Sequence, residues 1–269
     1  MKKVARILLF LFLLGIFFFS FWKLLGILNV YREGSKSYQQ LEQYVSFEEP
    51  AQPADETEEP LPAETEVTEE PFVMPDLSGW PQVDFEQLAQ INSDVVGWIF
   101  IDGTHINYPV VQGQDNHYYM NRMFDGTVNK AGAIFLDADC EPDFSDKNSV
   151  LYGHHMKNNS MFADLVKYKK QAFYDGHPVA LLLTPAAYYK IQFFSGYVSD
   201  NWSSAWDTAF TEENYALWLK EIQAKSRFTP LETPTVEDRV VTLSTCTYEF
   251  KNAKFVLHGY IVEELKVRP

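Results

Sequence analysis

The run Arg239-Val240-Val241-Thr242-Leu243-Ser244-Thr245-Cys246 is the most informative stretch of this chain. Its Val-Val-Thr-Leu core is β-branched and apolar, which is typical of a buried strand. The strand ends on a thiol that is held by the sheet yet open at its edge, as a nucleophile must be. Free cysteine is also one of the most buried residue types, so Cys246 alone fits a small core side chain equally well.

Short runs of β-branched and aromatic residues recur between turn residues from about Trp80 to Pro269, a length sufficient for one sizeable core. Eight such runs favour a mainly β fold, a closed or nearly closed barrel, over a sheet with alternating helices. The predicted strands are Val96–Ile101, Tyr108–Val111, Gly132–Leu136, Ser149–Tyr152, Val179–Thr184, Ala187–Val198, Arg239–Thr245 and Phe255–Val262.

Two amphipathic patterns predict helices beside these strands. Val83–Asn92 forms a short N-terminal helix by its apolar spacing. Before the Cys246 strand, Thr211 is a suitable N-cap for an inserted helix whose apolar residues fall at i, i+3, i+4 and i+7. Those residues are Tyr215, Trp218, Leu219 and Ile222.

The N-terminal segment predicts a membrane anchor. Three basic residues among the first six precede the apolar run Ile7–Trp22, which resumes as Leu24–Val30. At about 1.5 Å per residue, a helix over this run crosses a hydrocarbon core of about 30 Å. No small-x-small cleavage site follows it, so residues 1–30 are predicted to be an uncleaved signal anchor. The positive-inside rule places the N-terminus in the cytoplasm and the rest of this single-pass protein outside a bacterial cell.

Residues 31–79 are predicted to be a juxtamembrane segment and a stalk. From Ser37 to Asn121 there are 17 acidic residues and no Lys or Arg. High charge and low hydrophobicity leave too little burial to offset chain entropy, so Glu48–Pro75 is predicted to be disordered; an acidic binding tail is the alternative. Most of the net charge of −15 comes from this tether. It argues against nucleic acid partners, because no basic patch exists to neutralise phosphates.

A second chemical feature is the run Val150-Leu151-Tyr152-Gly153-His154-His155-Met156, in which a strand meets a glycine turn followed by two imidazoles. Histidine carries or releases a proton near neutral pH, which makes it a natural partner for a thiol. The alternative is a histidine that only hydrogen-bonds within a loop. Adjacent side chains of an extended segment point to opposite faces, and no Cys/His/Asp cluster stands nearby, so we expect neither a metal nor a cofactor.

Together these motifs resemble the class B sortases, a family of cysteine transpeptidases. Thr242–Cys246 matches the Cys strand of the family, Tyr152–Met156 matches its Tyr-Gly-His-His-Met turn, and Asn92–Ile99 and Tyr108–Gln112 match its early strands. The resemblance extends from about Phe85 to the C-terminus, with the class B helical insertion at 211–228. It implies an eight-stranded sortase β-barrel, with residues 80–269 as the catalytic domain.

The resemblance also implies the reaction. Cys246 attacks the carbonyl of a threonine in the C-terminal sorting signal of a surface protein or pilin, and a thioester forms. The signal is expected to be of the Asn-Pro-x-Thr type or related to it. An amine on a peptidoglycan precursor or on a pilin then takes the acyl group. His154 matches the general acid/base of the family, whereas His155 is expected to brace the loop.

The third family residue departs from the pattern, because Lys254 stands where sortases carry arginine. Both cations can stabilise charge on the carbonyl oxygen, but arginine offers a fixed fork of donors and lysine a hydrated point charge. Lys254 is therefore predicted to be the third catalytic residue, against a solvated strand-edge charge. Three alternatives stay open: a slow sortase, a sortase that uses Lys254 differently, and one whose cation lies elsewhere. Arg239 is a poor substitute, since it lies about 23 Å back along an extended strand.

Ser244 and Thr245 are expected from the resemblance to line the substrate groove. Ser244 shares the sheet face of Cys246, although a buried and bonded hydroxyl is the alternative. Cys140 lies among carboxylates in Asp137-Ala138-Asp139-Cys140-Glu141, which disfavours a thiolate and makes it a poor nucleophile. A disulfide between the two cysteines would consume the nucleophile and is not expected.

Two functions stay open at this point. The first is a membrane-anchored cysteine transpeptidase. The second is a weakly active or inactive sortase-like surface scaffold that binds sorting-signal peptides, because Lys254 is not arginine. A papain-type protease is disfavoured, since its cysteine begins a helix and precedes its histidine. The expected partners are sorting-signal-bearing proteins or pilins, the amine of the acceptor, and membrane lipid around the N-terminal helix.

Overall fold

The computed structural model describes residues 2–47, 77, 79–200 and 202–267. The predicted stalk, 48–75, lies outside the described residues. The helices are α1 (Lys2–Leu41), α2 (Phe85–Ile91), α3 (Gln171–Gly176) and α4 (Glu212–Ala224). The strands are β1 (Val45–Phe47), β2 (Pro81–Val83), β3 (Val95–Phe100), β4 (Asn107–Val111), β5 (Ile134–Leu136), β6 (Asn148–Tyr152), β7 (Val179–Leu183), β8 (Ala187–Ser199), β9 (Val240–Cys246) and β10 (Lys254–Lys266).

Eight of these strands close into a barrel in the order β10-β8-β7-β3-β4-β5-β6-β9. Most neighbours are antiparallel, but β4 runs parallel to β5 and β6 runs parallel to β9. The predicted mainly β fold with an eight-stranded barrel is confirmed, and each predicted strand overlaps one of the eight. The strands could be predicted because each is a run of β-branched or aromatic residues bounded by turn residues.

Large apolar side chains without solvent exposure form the core, among them Trp98, Phe193 and Phe255. Burying one such side chain contributes about 1.5–3 kcal/mol, so this core stabilises the barrel. Along β9 every residue from Val240 to Thr245 is buried, whereas Cys246 at its end is partly exposed. The strand therefore carries the thiol from the core to the surface.

Both predicted helices are present. Asp84 caps α2 by accepting a hydrogen bond from the backbone nitrogen of Gln87, so the helix begins two residues later than predicted. Thr211 caps α4 in the same way, and the four apolar residues predicted for this helix are buried. They pack with residues of β8 and β10 in a second apolar cluster. The insertion thus packs against β8 and β10, and β10 is the strand that pairs with the one carrying Cys246.

The helix α1 continues beyond the predicted span. Most large apolar side chains between Ile7 and Leu28 are exposed. By length and composition the helix could cross a membrane, and an N-terminal signal sequence has the same two properties. Farther along, Tyr38 and Leu41 are buried against the barrel. They lie about one helical turn apart on a single face, so part of the segment predicted as juxtamembrane packs with the body.

Candidate active site

Two neighbouring strands position Cys246. Antiparallel pairing with β10 sets Lys254 directly opposite Cys246. On the other side, parallel pairing with β6 sets Tyr152 beside Ser244. The chain stays beside β9 for one more residue, since the nitrogen of Gly153 donates to the carbonyl of Ser244, and His154 follows. The strands β6, β9 and β10 therefore bring His154, Cys246 and Lys254 to one end of the barrel.

A groove of about 370 Å³ opens at this end of the barrel. Its lining includes all five predicted site residues: Cys246, His154, Lys254, Ser244 and Thr245. Tyr152 and Gly153, which also line the groove, belong to the predicted histidine turn. The sequence does not single out the remaining lining residues: Asn116, Met120, Phe135 and Trp206. A concave surface that combines apolar walls with a few polar groups is suited to binding a ligand.

Lys254 brings a positive charge to the Cys246 thiol. Its Nζ donates a hydrogen bond to the sulfur of Cys246 at 3.1 Å. From there the ammonium can stabilise negative charge that develops on a carbonyl oxygen bound next to the sulfur. Arg239 lies at the other end of β9, where its guanidinium binds Glu264 and the carbonyl of Phe144. Lys254 is therefore the cation that this strand pair supplies to the groove.

The imidazole of His154 is held by backbone. Its Nε2 lies 2.6 Å from the carbonyl oxygen of Met120. A carbonyl can only accept, so Nε2 carries the proton and, in the neutral ring, Nδ1 is left as a base. Only glycine fits at position 153 beside this histidine, because a Cβ there would lie 2.5 Å from Ile134 and 2.7 Å from Phe162.

His155 has different partners from its neighbour. Its Nδ1 lies 2.9 Å from the backbone carbonyl oxygen of Cys246, and its ring lies 5.3 Å from that of Tyr248. The side chain therefore links the loop after β6 to the loop after β9. Side chains that alternate in direction along an extended chain explain why the two histidines take separate contacts.

Ser244 and Thr245 are bound to the protein itself. Ser244 is 3% exposed and accepts a hydrogen bond from Nε1 of Trp206 at 3.0 Å. Thr245 is 2% exposed and donates to the carbonyl of Gly153 at 2.8 Å. Both hydroxyls are thus engaged in the groove wall. Trp206 was missed because it lies outside every predicted helix and strand and belongs to no recognisable motif.

The two cysteines are free thiols in different surroundings. Burial raises the pKa of the Cys140 thiol to about 12, and the negative charge of Asp137 adds to the effect. Asp137 also accepts a hydrogen bond from Tyr152 at 2.7 Å, and burial together with this carboxylate raises the pKa of that phenol. Cys140 is therefore a thiol of the interior, whereas Cys246 is the thiol of the groove.

An ion pair fastens the loop that follows Cys246. Lys169 binds Glu249 and donates to Oγ1 of Thr247 at 3.0 Å. Burial alone would raise the pKa of Glu249, but hydrogen bonds from Lys169 and Thr247 lower it to about 2. The nitrogen of Thr247 also donates to the carbonyl of Ala253. These contacts keep Cys246 and Lys254 paired at the ends of their strands.

Comparison with known proteins identifies the family. The family model described as "Sortase domain" matches residues 99–263. Sortase B of Staphylococcus aureus (strain NCTC 8325 / PS 47) is 40% identical over 163 residues, which cover 60% of this chain and 67% of that protein. The chain therefore belongs to the sortase family of cysteine transpeptidases.

Solved structures give the class. The complex of Staphylococcus aureus sortase B with a substrate aligns with a TM-score of 0.64 at 37% identity, covering 66% of this chain and 84% of that one. A crystal structure of sortase B complexed with triglycine aligns equally well, with a TM-score of 0.64 at 37% identity over 66% of this chain and 85% of that one. Within its family the chain is a class B sortase.

Proposed function

We propose that this sortase cleaves a C-terminal sorting signal after threonine and transfers the protein, through a thioester on Cys246, to an amine of a peptidoglycan precursor or pilin. The observation that carries the proposal is the meeting of Cys246, His154 and Lys254 in one groove, with the Lys254 nitrogen 3.1 Å from the sulfur. Sortase B relatives complexed with a substrate and with triglycine support a peptide acyl donor and an amine acceptor.

Each side chain has its own task in the first half of the reaction. The thiol of Cys246 passes its proton to Nδ1 of His154 as its sulfur attacks the threonine carbonyl carbon, and negative charge develops on the carbonyl oxygen. Lys254 stabilises that charge from its place beside the sulfur. His154 protonates the leaving amine as the peptide C–N bond breaks, and the thioester remains.

The second half reverses these tasks. The acceptor amine attacks the thioester carbonyl, and His154 removes its proton. An amide bond forms while the C–S bond breaks, which regenerates the sulfur of Cys246. Because Nε2 of His154 is bound to the carbonyl of Met120, Nδ1 is the atom that exchanges these protons.

Full-length protein in detergent micelles provides the test. A quenched fluorescent peptide carrying an Asn-Pro-x-Thr signal is incubated with triglycine as the acceptor. We expect cleavage and a ligated product, both lost in Cys246→Ala and in His154→Ala, and both kept in Cys140→Ala. Peptide binding without turnover by the unmodified protein would instead support the scaffold function that the Lys254 departure keeps open.

We also propose that α1 anchors the enzyme with its N-terminus in the cytoplasm and its catalytic domain outside. The exposed apolar side chains of the helix and the basic residues before them support this orientation. Protease added to intact bacterial protoplasts should digest the catalytic domain. Protection of that domain until the membrane is opened would reverse the orientation.

A further inference from the structure

Residues 30–41 of α1, the docked segment, lie against the barrel loop that precedes β5. Tyr38 is 5% exposed and donates its hydroxyl hydrogen to the carbonyl oxygen of Gly132 at 2.7 Å. Asn129, in the same loop, donates to the carbonyl of Val30 at 3.2 Å. Two hydrogen bonds thus fix this loop to the helix that continues the predicted membrane span.

Gly132 leaves no room for a side chain between its backbone and the imidazole of His154. The glycine has φ +60°, and a Cβ on it would lie 3.0 Å from Cδ2 of His154 and 2.8 Å from the carbonyl oxygen of Met120. The same Met120 oxygen accepts the hydrogen bond from Nε2 of His154 at 2.6 Å. Backbone at positions 120 and 132 therefore forms the wall against which the ring rests, and Tyr38 is bonded to that wall.

The loop that follows the two histidines also touches the docked segment. Asn158 donates to Oγ of Ser35 at 3.2 Å. The Tyr38 ring packs edge-on against Tyr108, with centroids 5.2 Å apart, and the Tyr108 hydroxyl accepts from the backbone nitrogen of Met161 at 3.0 Å. One face of α1 thus contacts both the loop before β5 and the loop after the two histidines, which lie on either side of His154.

We infer that the docked segment is part of the catalytic framework and that Tyr38 is a positioning residue for His154. The inference rests on the proposed role of His154 in proton transfer. Misplacing a catalytic group by about 1 Å can cost about 10²-fold in rate, so losing a buried hydrogen bond behind the ring is measurable. Because α1 is one continuous helix, it joins the predicted membrane anchor to the wall of the groove.

The kinetic test compares Tyr38→Phe with Tyr44→Phe in the full-length protein. Tyr38→Phe keeps the ring and deletes only the hydroxyl, and Tyr44, which lies just past α1, is the matched control. We expect Tyr38→Phe to lower kcat about tenfold with KM unchanged and to move the pH profile of kcat. Tyr44→Phe should leave all three as they are. A Tyr38→Phe protein with a lower melting temperature but an unmoved kcat and pH profile would overturn the inference.

A readout that needs no turnover separates this inference from the proposed function. In protein labelled with ¹³C-histidine, the His154 Cε1–Hε1 resonance is assigned by its loss in His154→Gln. It should shift in Tyr38→Phe and stay in place in Tyr44→Phe. An unmoved resonance in an active Tyr38→Phe enzyme refutes the positioning role alone. A shifted resonance in a protein that never turns over supports the positioning of the ring and counts against the transpeptidase.

Discussion

The strands β9 and β10 carry two polar cross-strand pairs in contrasting surroundings. In the middle of the strands Thr242 pairs with His258, and at the end Cys246 pairs with Lys254. The middle pair is fully buried: Nδ1 of His258 lies 2.8 Å from Oγ1 of Thr242, which in turn donates to Asn148 at 2.6 Å. The end pair lies in the wall of the groove, where only one contact joins the sulfur to the ammonium.

The difference teaches that burial decides whether a polar pair serves stability or chemistry. An unpaired buried polar group costs about 1–3 kcal/mol, so the middle pair must be completely hydrogen-bonded. At the strand end the pair is accessible to water and ligand. Its donors and acceptors can therefore stay available for hydrogen bonds to a substrate. Changes at the middle pair should therefore alter the free energy of unfolding, and changes at the end pair should alter the rate.

Replacing Cys246 with alanine should give the largest effect. We expect turnover to fall by about 10⁴-fold or more, because no other group supplies the covalent step. The free energy of unfolding should hardly change, since the side chain lies partly exposed at the strand end. Steady-state kinetics and urea unfolding of the same preparation measure the two quantities.

Cys140→Ala is the control for this prediction. Its thiol is buried, with a pKa of about 12, so the variant should lose stability and keep its turnover. Iodoacetamide at pH 7 should label Cys246 and spare Cys140 in the folded protein, as read by peptide mass spectrometry. Equal labelling of both cysteines would remove the contrast between the two thiols.

Lys254→Met should give the second largest effect. It keeps a side chain of similar length and removes the charge beside the sulfur. Since the loss of one interaction with a developing oxyanion costs about 10²–10³-fold, kcat/KM should fall by that order with little change in stability. Full activity of this variant in the peptide assay would make Lys254 a solvated strand-edge charge.

Lys254→Arg completes the test, because it restores the residue that the resemblance to sortases leads one to expect. The planar fork of arginine presents several donors to one oxygen, so we expect a rate equal to that of the unmodified enzyme or higher. A rate as low as that of Lys254→Met would show that the groove is shaped for lysine alone.

Local sequence patterns were sufficient to predict the strands and the groove residues that lie near the strand ends. Cys246 and His154 could be found because each stands at the end of a strand in a short motif, and the pairing of strands then brings them together. Trp206 reaches Ser244 across 38 positions, and Tyr38 reaches Gly132 across 94. No periodicity encodes such contacts, since they arise only when α1 and the segment before α4 fold back onto the barrel.

The middle pair makes the folded state sensitive to acid. Burial, with a smaller effect of the Lys225 charge, lowers the pKa of His258 from 6.5 to about 3. Below pH 6.5 the unfolded chain therefore binds a proton that the folded chain does not bind. Stability is lost as the pH falls from 6.5 towards 3, at about 1.4 kcal/mol per pH unit, or about 2 kcal/mol between pH 7 and pH 5. Urea unfolding across this range measures the loss.

His258→Gln isolates the contribution of this histidine. The variant should be less stable than the unmodified protein at pH 7, because its contacts with Thr242 change, but its stability should vary less between pH 7 and pH 5. Lys254→Met, at the other pair, should keep the full dependence on pH. The same pH dependence in His258→Gln and in the unmodified protein would assign the acid sensitivity to other groups.

Trp206→Phe should give the smallest effect. It tests whether the hydrogen bond between Trp206 and Ser244 in the groove wall stabilises the fold, as the contacts of the buried middle pair do. The variant keeps an aromatic wall and deletes the Nε1–H that binds Ser244. A neutral hydrogen bond is worth about 1 kcal/mol, so the free energy of unfolding should fall by about that amount, with kcat unchanged because neither residue meets the reacting atoms. Ser244→Ala should show the same loss, and the double variant no more than either single change, since both remove one bond. Additive losses in urea unfolding would mean that the two side chains stabilise the groove wall separately.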